Sequence, residues 1–280
     1  MRKISCNDSI LVLIKRFVFL CVTLFILIAF ESSVFADLLG IDWNSGNLVD
    51  ISTIDASVTL IGSTGISSPA TIEFSQNGTL YAFSAGSSPT LYSINPATAS
   101  STAIGSLGLG FVFEGGLAFS PNGIAYGVNG SGAVNPELFT IDLNTGTATV
   151  IGTISGGDHD INGLAWRSDG KLIGIDRVTN SLLIIDPVTA VSSVLATLTP
   201  TVGGIGGMTA NGSNGYFSTE FSGLYAFDLF TGSYSLIGNN SSTGNYISGI
   251  AMTSVPEPST ILLLGAGLAG VGILRRRFKN

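Results

Sequence analysis

Between Leu38 and Met252, apolar and polar residues alternate in short runs bounded by Gly, Asn, Asp, Ser or Pro, and no run exceeds the length of a strand. A period of two over such short runs predicts β-strands joined by tight turns and argues against helices. Five of the stretches align without gaps: LVDISTIDASVTLIG from Leu48, LYSINPATASSTAIG from Leu91, LFTIDLNTGTATVIG from Leu138, LLIIDPVTAVSSVLA from Leu182 and LYAFDLFTGSYSLIG from Leu224. Their starts lie 43, 47, 44 and 42 residues apart. In each, one strand ends at a short polar residue (Ser52, Asn95, Asp142, Asp186, Asp228), and a second ends at Gly or Ala ten residues later (Gly62, Gly105, Gly152, Ala196, Gly238). The polar residue is expected to bond the turn backbone, and the Gly or Ala to supply the positive φ of a hairpin turn.

Upstream of four of these hairpins lies another: TIEF-SQNG-TLYAF, GLAF-SPNG-IAYGV, GLAW-RSDG-KLIGI and GMTA-NGSNG-YFSTE. Each repeat is therefore four strands, and a period in the forties holding four antiparallel strands marks a β-propeller blade. The ends of the body set the blade number. LLGIDWNSGNL from Leu38 matches LIGIDRVTNSL from Leu172, so the body opens at the second strand of a blade. The missing first strand appears at Tyr246–Met252, which resembles Asn162–Trp166. The expected fold is all-β, a five-bladed propeller over residues 37–254, closed by pairing the N-terminal strands with the C-terminal one. Closure of this kind hides sheet edges. An open stack of sheets or a sandwich is the alternative. The body resembles in a general way the propeller repeats of secreted bacterial proteins, without the Trp-Asp and Gly-His signatures of WD40 and Kelch modules.

Both ends of the chain point to export. Lys3, Lys15 and Arg16 precede an apolar stretch from Phe17 to Phe30, and Val34-Phe35-Ala36 offers small residues at the positions read by signal peptidase. Residues 1–36 are expected to be a signal peptide cleaved after Ala36, with retention as an anchor the alternative. Cys6 and Cys21 both fall in that segment, so the body has no cysteine and its stability rests on packing alone.

At the other end, Pro256-Glu257-Pro258 precedes an apolar run from Ile261 to Leu274 and a basic tail of Arg275, Arg276, Arg277 and Lys279. As a transmembrane helix the run would span about 21 Å against a hydrocarbon core of roughly 30 Å, which requires tilt, thinning or snorkelling. The basic tail belongs on the cytoplasmic side and the body on the other. Residues 255–280 resemble the sorting tail of the PEP-CTERM family of bacterial exported proteins. The resemblance implies an exosortase-type membrane peptidase as partner, a cut near Pro256–Pro258, transient anchoring, and transfer to the cell surface or exterior. An ordinary tail anchor is the alternative.

Charge removes one class of function. Between residues 37 and 254 the cations are Arg167, Lys171 and Arg177, against 15 Asp and Glu, a net charge of −12. Nucleic acid is excluded as a partner on that balance.

Candidate chemistry collects on the loops that enter each first strand or join second strand to third. Gly156-Gly157-Asp158-His159-Asp160 holds the chain's single His between two carboxylates, and the next loop of that blade adds Asp176 and Arg177. Asp158 and Asp160, oxygen donors at alternate positions, are candidates for Ca²⁺; no other cofactor is expected, and a solvated acidic loop is the plainer reading. Glu114 and Glu220 are expected on the same face. Trp43, Phe111, Phe113, Phe221 and Tyr246 fall in or beside these loops, where flat rings could stack on sugars or simply pack. The candidate ligand face is thus Asp158, His159, Asp160, Asp176, Glu114, Trp43 and Tyr246. These features favour a surface binding or scaffold protein, with exopolysaccharide or protein partners, over an enzyme. The alternatives are a carboxylate-dependent glycoside hydrolase or lyase and a purely structural surface component. A serine hydrolase is disfavoured because no Gly-x-Ser-x-Gly elbow surrounds any serine.

Overall fold

The computed structural model describes residues 38–130, 136–199, 201–212, 214–220, 223–239 and 246–252. The expected signal peptide, sorting tail and transmembrane helix, with Phe221, lie outside the described residues, as does Asp37. Every described residue belongs to the compact unit Ala36–Asn280. Among them, no helix is long and apolar enough to cross a membrane.

Five antiparallel four-stranded sheets form a ring. Blade 1 has the order β20-β1-β2-β3, from β1 (Leu38–Asp42), β2 (Asn47–Ile51), β3 (Val58–Ser63) and β20 (Ile247–Met252). Blade 2 runs β4 (Pro69–Phe74), β5 (Leu80–Ser84), β6 (Thr90–Ile94) and β7 (Ser101–Ser106). Blade 3 runs β8 (Glu114–Phe119), β9 (Ala125–Gly130), β10 (Glu137–Ile141) and β11 (Ala148–Thr153). Blade 4 is β12 (Ile161–Trp166), β13 (Leu172–Asp176), β14 (Ser181–Ile185) and β15 (Ser192–Thr197). Blade 5 is β16 (Ile205–Asn211), β17 (Asn214–Thr219), β18 (Gly223–Asp228) and β19 (Tyr234–Asn239). The C-terminal strand β20 pairs with β1, with Leu38 opposite Met252, and closes the ring as the sequence predicts.

Apolar burial is divided among five clusters, one for each junction between neighbouring blades. The repeat leucines Leu48, Leu91, Leu138, Leu182 and Leu224 are all buried in these junctions. Each sits at a β-bulge where the third strand meets the fourth, which turns the outer strand out of register and adds local twist.

The turn residues correct one expectation. The polar residue does bond the turn: Asp186 Oδ1 accepts from the amides of Val188 and Thr189 at 2.8 and 3.0 Å, and Asn95 and Asp228 act alike. Positive φ, however, falls on the fourth residue after it, at Ala56, Ala99, Gly146, Ala190 and Gly232, and not on the strand-end Gly or Ala. The strand-end residue has another use, because it meets the turn of the next blade. A Cβ on Gly62 would lie 3.2 Å from the Ala99 Cβ, and one on Gly232 would lie 2.4 Å from the Ala196 Cβ. Where one partner is Ala, the other is Gly.

The centre of the ring is tighter still. The innermost strands β20, β4, β8, β12 and β16 carry Gly116, Gly163, Gly207 and Gly249 at one level, with Thr71 completing the set. A Cβ on Gly116 would stand 2.5 Å from the Leu164 nitrogen, and one on Gly249 2.6 Å from the Ile72 nitrogen. Neighbouring blades thus meet backbone to backbone around the axis, and the buried carboxylates of the innermost strands, Glu73 and Glu114, lie toward opposite ends.

At the mouth where β4 ends, Glu73 is buried, with Oε1 accepting from the Phe74 amide at 2.8 Å and Oε2 from the Thr209 hydroxyl at 3.1 Å. Burial pushes its carboxyl from 4.5 up to about 8, against those two hydrogen bonds.

Gly116→Ala should cost more than about 3 kcal/mol or prevent folding, because backbone cannot yield to the new methyl. Gly110→Ala, whose methyl would enter open space, should stay within about 0.5 kcal/mol in the same thermal melts. The second expectation concerns pH. Between about 4.5 and 8 the folded chain keeps the Glu73 proton that the unfolded chain releases, so this residue lowers stability progressively as pH rises through that window. Glu73→Gln should leave the melting temperature nearly unchanged at pH 4.5 and raise it at pH 8.5 by on the order of 3 kcal/mol of stability. An equal shift at both pH values would contradict the burial argument.

Candidate functional site

The opposite mouth gathers most of the residues anticipated there, and two aspartates explain how. Asp42 and Asp176 close the second strands of blades 1 and 4, both fully or nearly fully buried. Asp42 Oδ2 accepts from the Tyr246 amide at 2.8 Å, and Asp176 Oδ1 from the Asp160 amide at 2.9 Å. In each blade the next residue returns the link, Trp43 N–H to the Tyr246 carbonyl at 2.8 Å and Arg177 N–H to the Asp160 carbonyl at 2.9 Å. Each aspartate so fastens the loop that enters its first strand. The residue after it, Trp43 or Arg177, takes its place at the mouth.

His159 serves this scaffold. Its Nδ1 lies 2.8 Å from Asp176 Oδ2, which also accepts from the Thr179 hydroxyl at 2.5 Å, and the ring is buried while its Nε2 has no partner among the described residues. Asp158 is exposed and apart from these contacts. Asp160 turns inward to Arg177. Among the described residues no group of three or more His, Cys, Asp or Glu is arranged to hold a metal ion.

Arg177 is the electrostatic centre of the mouth. Its Nε and Nη2 donate to Asp160 Oδ2 at 2.9 and 2.6 Å, its Nη1 donates to Glu220 Oε1 at 2.6 Å, and Glu114 Oε2 lies 4.0 Å from Nη1. Burial works against the guanidinium charge, but Asp160, Glu114 and Glu220 outweigh it and hold its pKa above the usual value. Glu114 is the most buried of these three acids. It accepts from the Asn162 amide at 2.6 Å and from the Tyr246 hydroxyl, and Asn162 also reaches the Ile205 carbonyl at 2.9 Å. Burial raises the Glu114 pKa against the pull of Tyr246 and Arg177, while Asp160 and Glu220 raise it further. Burial and the Glu114 charge keep the Tyr246 phenol protonated, so it remains a donor. One cation thus faces three carboxylates drawn from blades 3, 4 and 5, with a phenol from the strand entry of blade 1.

Aromatic rings border this cluster. Trp43 packs on Tyr246 with centroids 6.1 Å apart and on Phe113 at 5.6 Å, and Phe111 stacks beyond Phe113 at 6.5 Å with 25° between the planes. Phe111 and Phe113 remain 63% and 40% exposed, high values for rings already in contact with one another. Asn162 and Asp42 were not singled out by the sequence reading. Asn162 stands inside a strand pattern, and Asp42 looks like an ordinary strand end, although the match of Leu38–Leu48 to Leu172–Leu182 already equates it with Asp176.

Comparison with known proteins identifies the tail and the fold. The PEP-CTERM protein-sorting motif matches residues 254–277, which marks the chain as an exported, exosortase-targeted surface protein with a propeller body. The propeller is similar to one in the crystal structure of a nidogen/laminin complex, at 17% identity over 76% of this chain and 83% of that one, with a TM-score of 0.52. It is also similar to a structural genomics protein of unknown function from Bacteroides thetaiotaomicron, at 17% identity over 73% of this chain and 58% of that one, with a TM-score of 0.50. At such identity the likeness is one of fold. No curated protein matches the chain.

Arg177→Met should destabilise the propeller at pH 7 by about 2 kcal/mol, because it removes the guanidinium that bonds Asp160 and Glu220 and stands beside buried Glu114. The deficit should shrink as pH falls and Glu114, whose pKa burial raises, takes up a proton. Denaturant titrations at pH 7 and pH 4 measure the difference.

Proposed function

We propose that the propeller is a surface binding module that holds a hydroxyl-rich ligand, such as a segment of exopolysaccharide, across the mouth built around Arg177. The observation that carries this reading is the aromatic ledge of exposed Phe111 and Phe113 and half-buried Trp43 beside a cluster of charged hydrogen-bonding groups. Rings give flat apolar surface for sugar faces, and carboxylates and a guanidinium give acceptors and donors for hydroxyls. The strand directions support it. Leu38 and Met252 pair at the far mouth, so the chain enters and leaves the ring on the side opposite this face.

The reading is of binding without turnover. Asp160 and Glu220 share the Arg177 guanidinium, and Asp176 is spent on His159, Thr179 and a backbone amide. None stands ready as a nucleophile or base. One observation favours the second reading, a glycoside hydrolase or lyase: the raised pKa of buried Glu114 suits a general acid.

Glycan arrays probed with the full-length chain test both. Phe111→Ala with Phe113→Ala should weaken glycan binding at least about tenfold with little change in melting temperature, since both rings are solvent-facing. Release of new reducing or unsaturated ends, abolished by Glu114→Gln, would replace the binding reading with the enzyme. Absence of any glycan or protein ligand would leave a structural surface component.

A further inference from the structure

The far mouth holds a feature that the aromatic and charged face does not use. At the fifth position of the innermost strands, β8, β12 and β20 carry Ala118, Ala165 and Ala251 and β16 carries Thr209, whereas β4 carries Glu73. The small neighbours leave a cavity of about 170 Å³ at this mouth, and among the described residues Glu73 is its only ionisable lining group. Phe74, Phe119, Trp166 and Met252, from the next position along four of these strands, line it as well. Among the described residues the buried indole N–H of Trp166 has no acceptor.

Among the described residues no cation pairs with this carboxylate. The body's guanidinium groups are engaged elsewhere, Arg167 with Asp169 at 2.6 Å and over the Phe230 ring, Arg177 at the opposite mouth. A lone carboxylate whose two oxygens already accept hydrogen bonds offers too few ligands for a metal ion. Aromatic faces and a thioether around one negative group are instead complementary to a soft, weakly hydrated cation. We propose that this cavity is a second ligand site, separate from the Arg177 mouth, that takes a compact organic ammonium ion with Glu73 as its counter-charge and Phe74, Phe119 and Trp166 as its walls.

Protonation makes the site measurable. Burial holds the Glu73 carboxyl near pH 8, so at neutral pH an ammonium ion must displace its proton. The groups around it are the Phe74 amide, the Thr209 hydroxyl and, in register on β5, Tyr81, which packs on the Phe119 ring at 5.7 Å. None of them carries a charge that competes.

Calorimetric titration of the full-length chain with choline, in buffers of different ionisation enthalpy, tests the proposal. Saturable binding should tighten about tenfold per pH unit between pH 6 and 7.5, level off above pH 8, and release close to one proton per choline near neutrality. Glu73→Gln should abolish the pH dependence and the proton release, and Trp166→Leu should weaken binding at every pH. Phe111→Ala should leave choline binding unchanged, which separates this site from the ledge. Absence of saturable binding between pH 6 and 9, or binding that neither varies with pH nor depends on Glu73, would overturn the proposal.

Discussion

Backbone contact between neighbouring innermost strands is the constraint from which the rest of this propeller follows. Five blades leave so little room at the axis that Gly116, Gly163, Gly207 and Gly249 stand where any side chain would overlap the next blade. With the middle of the ring sealed by main chain, chemistry is left to the strand ends. The positions just before and at the start of each innermost strand build one mouth, where Glu114, Asp160, Asn162 and Tyr246 meet. The fifth and sixth positions build the other, where Glu73 and the rings of Phe74, Phe119 and Trp166 meet. Because the same strands feed both, the two mouths are rigidly coupled in geometry while differing wholly in chemistry.

The charged mouth also shows why polar groups are tolerated so deep. Buried charge is costly unless paired and hydrogen-bonded, and here two of the acids find a partner in a different blade: Glu114 of blade 3 meets Asn162 of blade 4, and Glu220 after β17 of blade 5 meets Arg177 of blade 4. The same bonds that satisfy the charges therefore lock blades against one another. Asp42 and Asp176 contribute at a lower level, each tying its own blade's entry loop, so Tyr246 and Asp160 arrive at the mouth already fixed.

Much of this was legible because the determinants are local and repeated. The leucines that open each aligned segment, the turn-opening Asp and Asn, and the match between the first and fourth blades are all sequence periodicities, and they carried the blade number and the ring closure. The misplaced positive φ had a physical origin. Two small residues in each hairpin fitted the expectation, and the turn's own backbone bonds select the first, since the amides of Ala56, Ala99, Gly146, Ala190 and Gly232 all donate back to the carbonyl of the turn-opening residue. The candidate face was foreseen from loop position, and His159, Asp160, Asp176, Glu114, Trp43 and Tyr246 do converge, while Asp158 does not join them. Asn162 and Glu73 escaped notice because each occupies a polar slot in an alternating strand. Their partners lie 48 and 136 residues away, distances at which no local pattern reports.

Closure by β20 bears on the fate of the exported chain. A body without cysteine has no covalent clasp, so the β20–β1 pairing and the packing of β20 against blades 2 and 5 must hold the ring shut in the oxidising space outside the cell. That strand ends at Met252 and the sorting match begins at residue 254. A cut within the motif therefore removes no residue of the closing strand, and the propeller can lose its address without losing the edge pairing that keeps five sheets in a ring. The order of the segments serves the same end. The residue that finishes the fold comes before the residues that direct sorting, so the ring is complete whether the tail is present or gone.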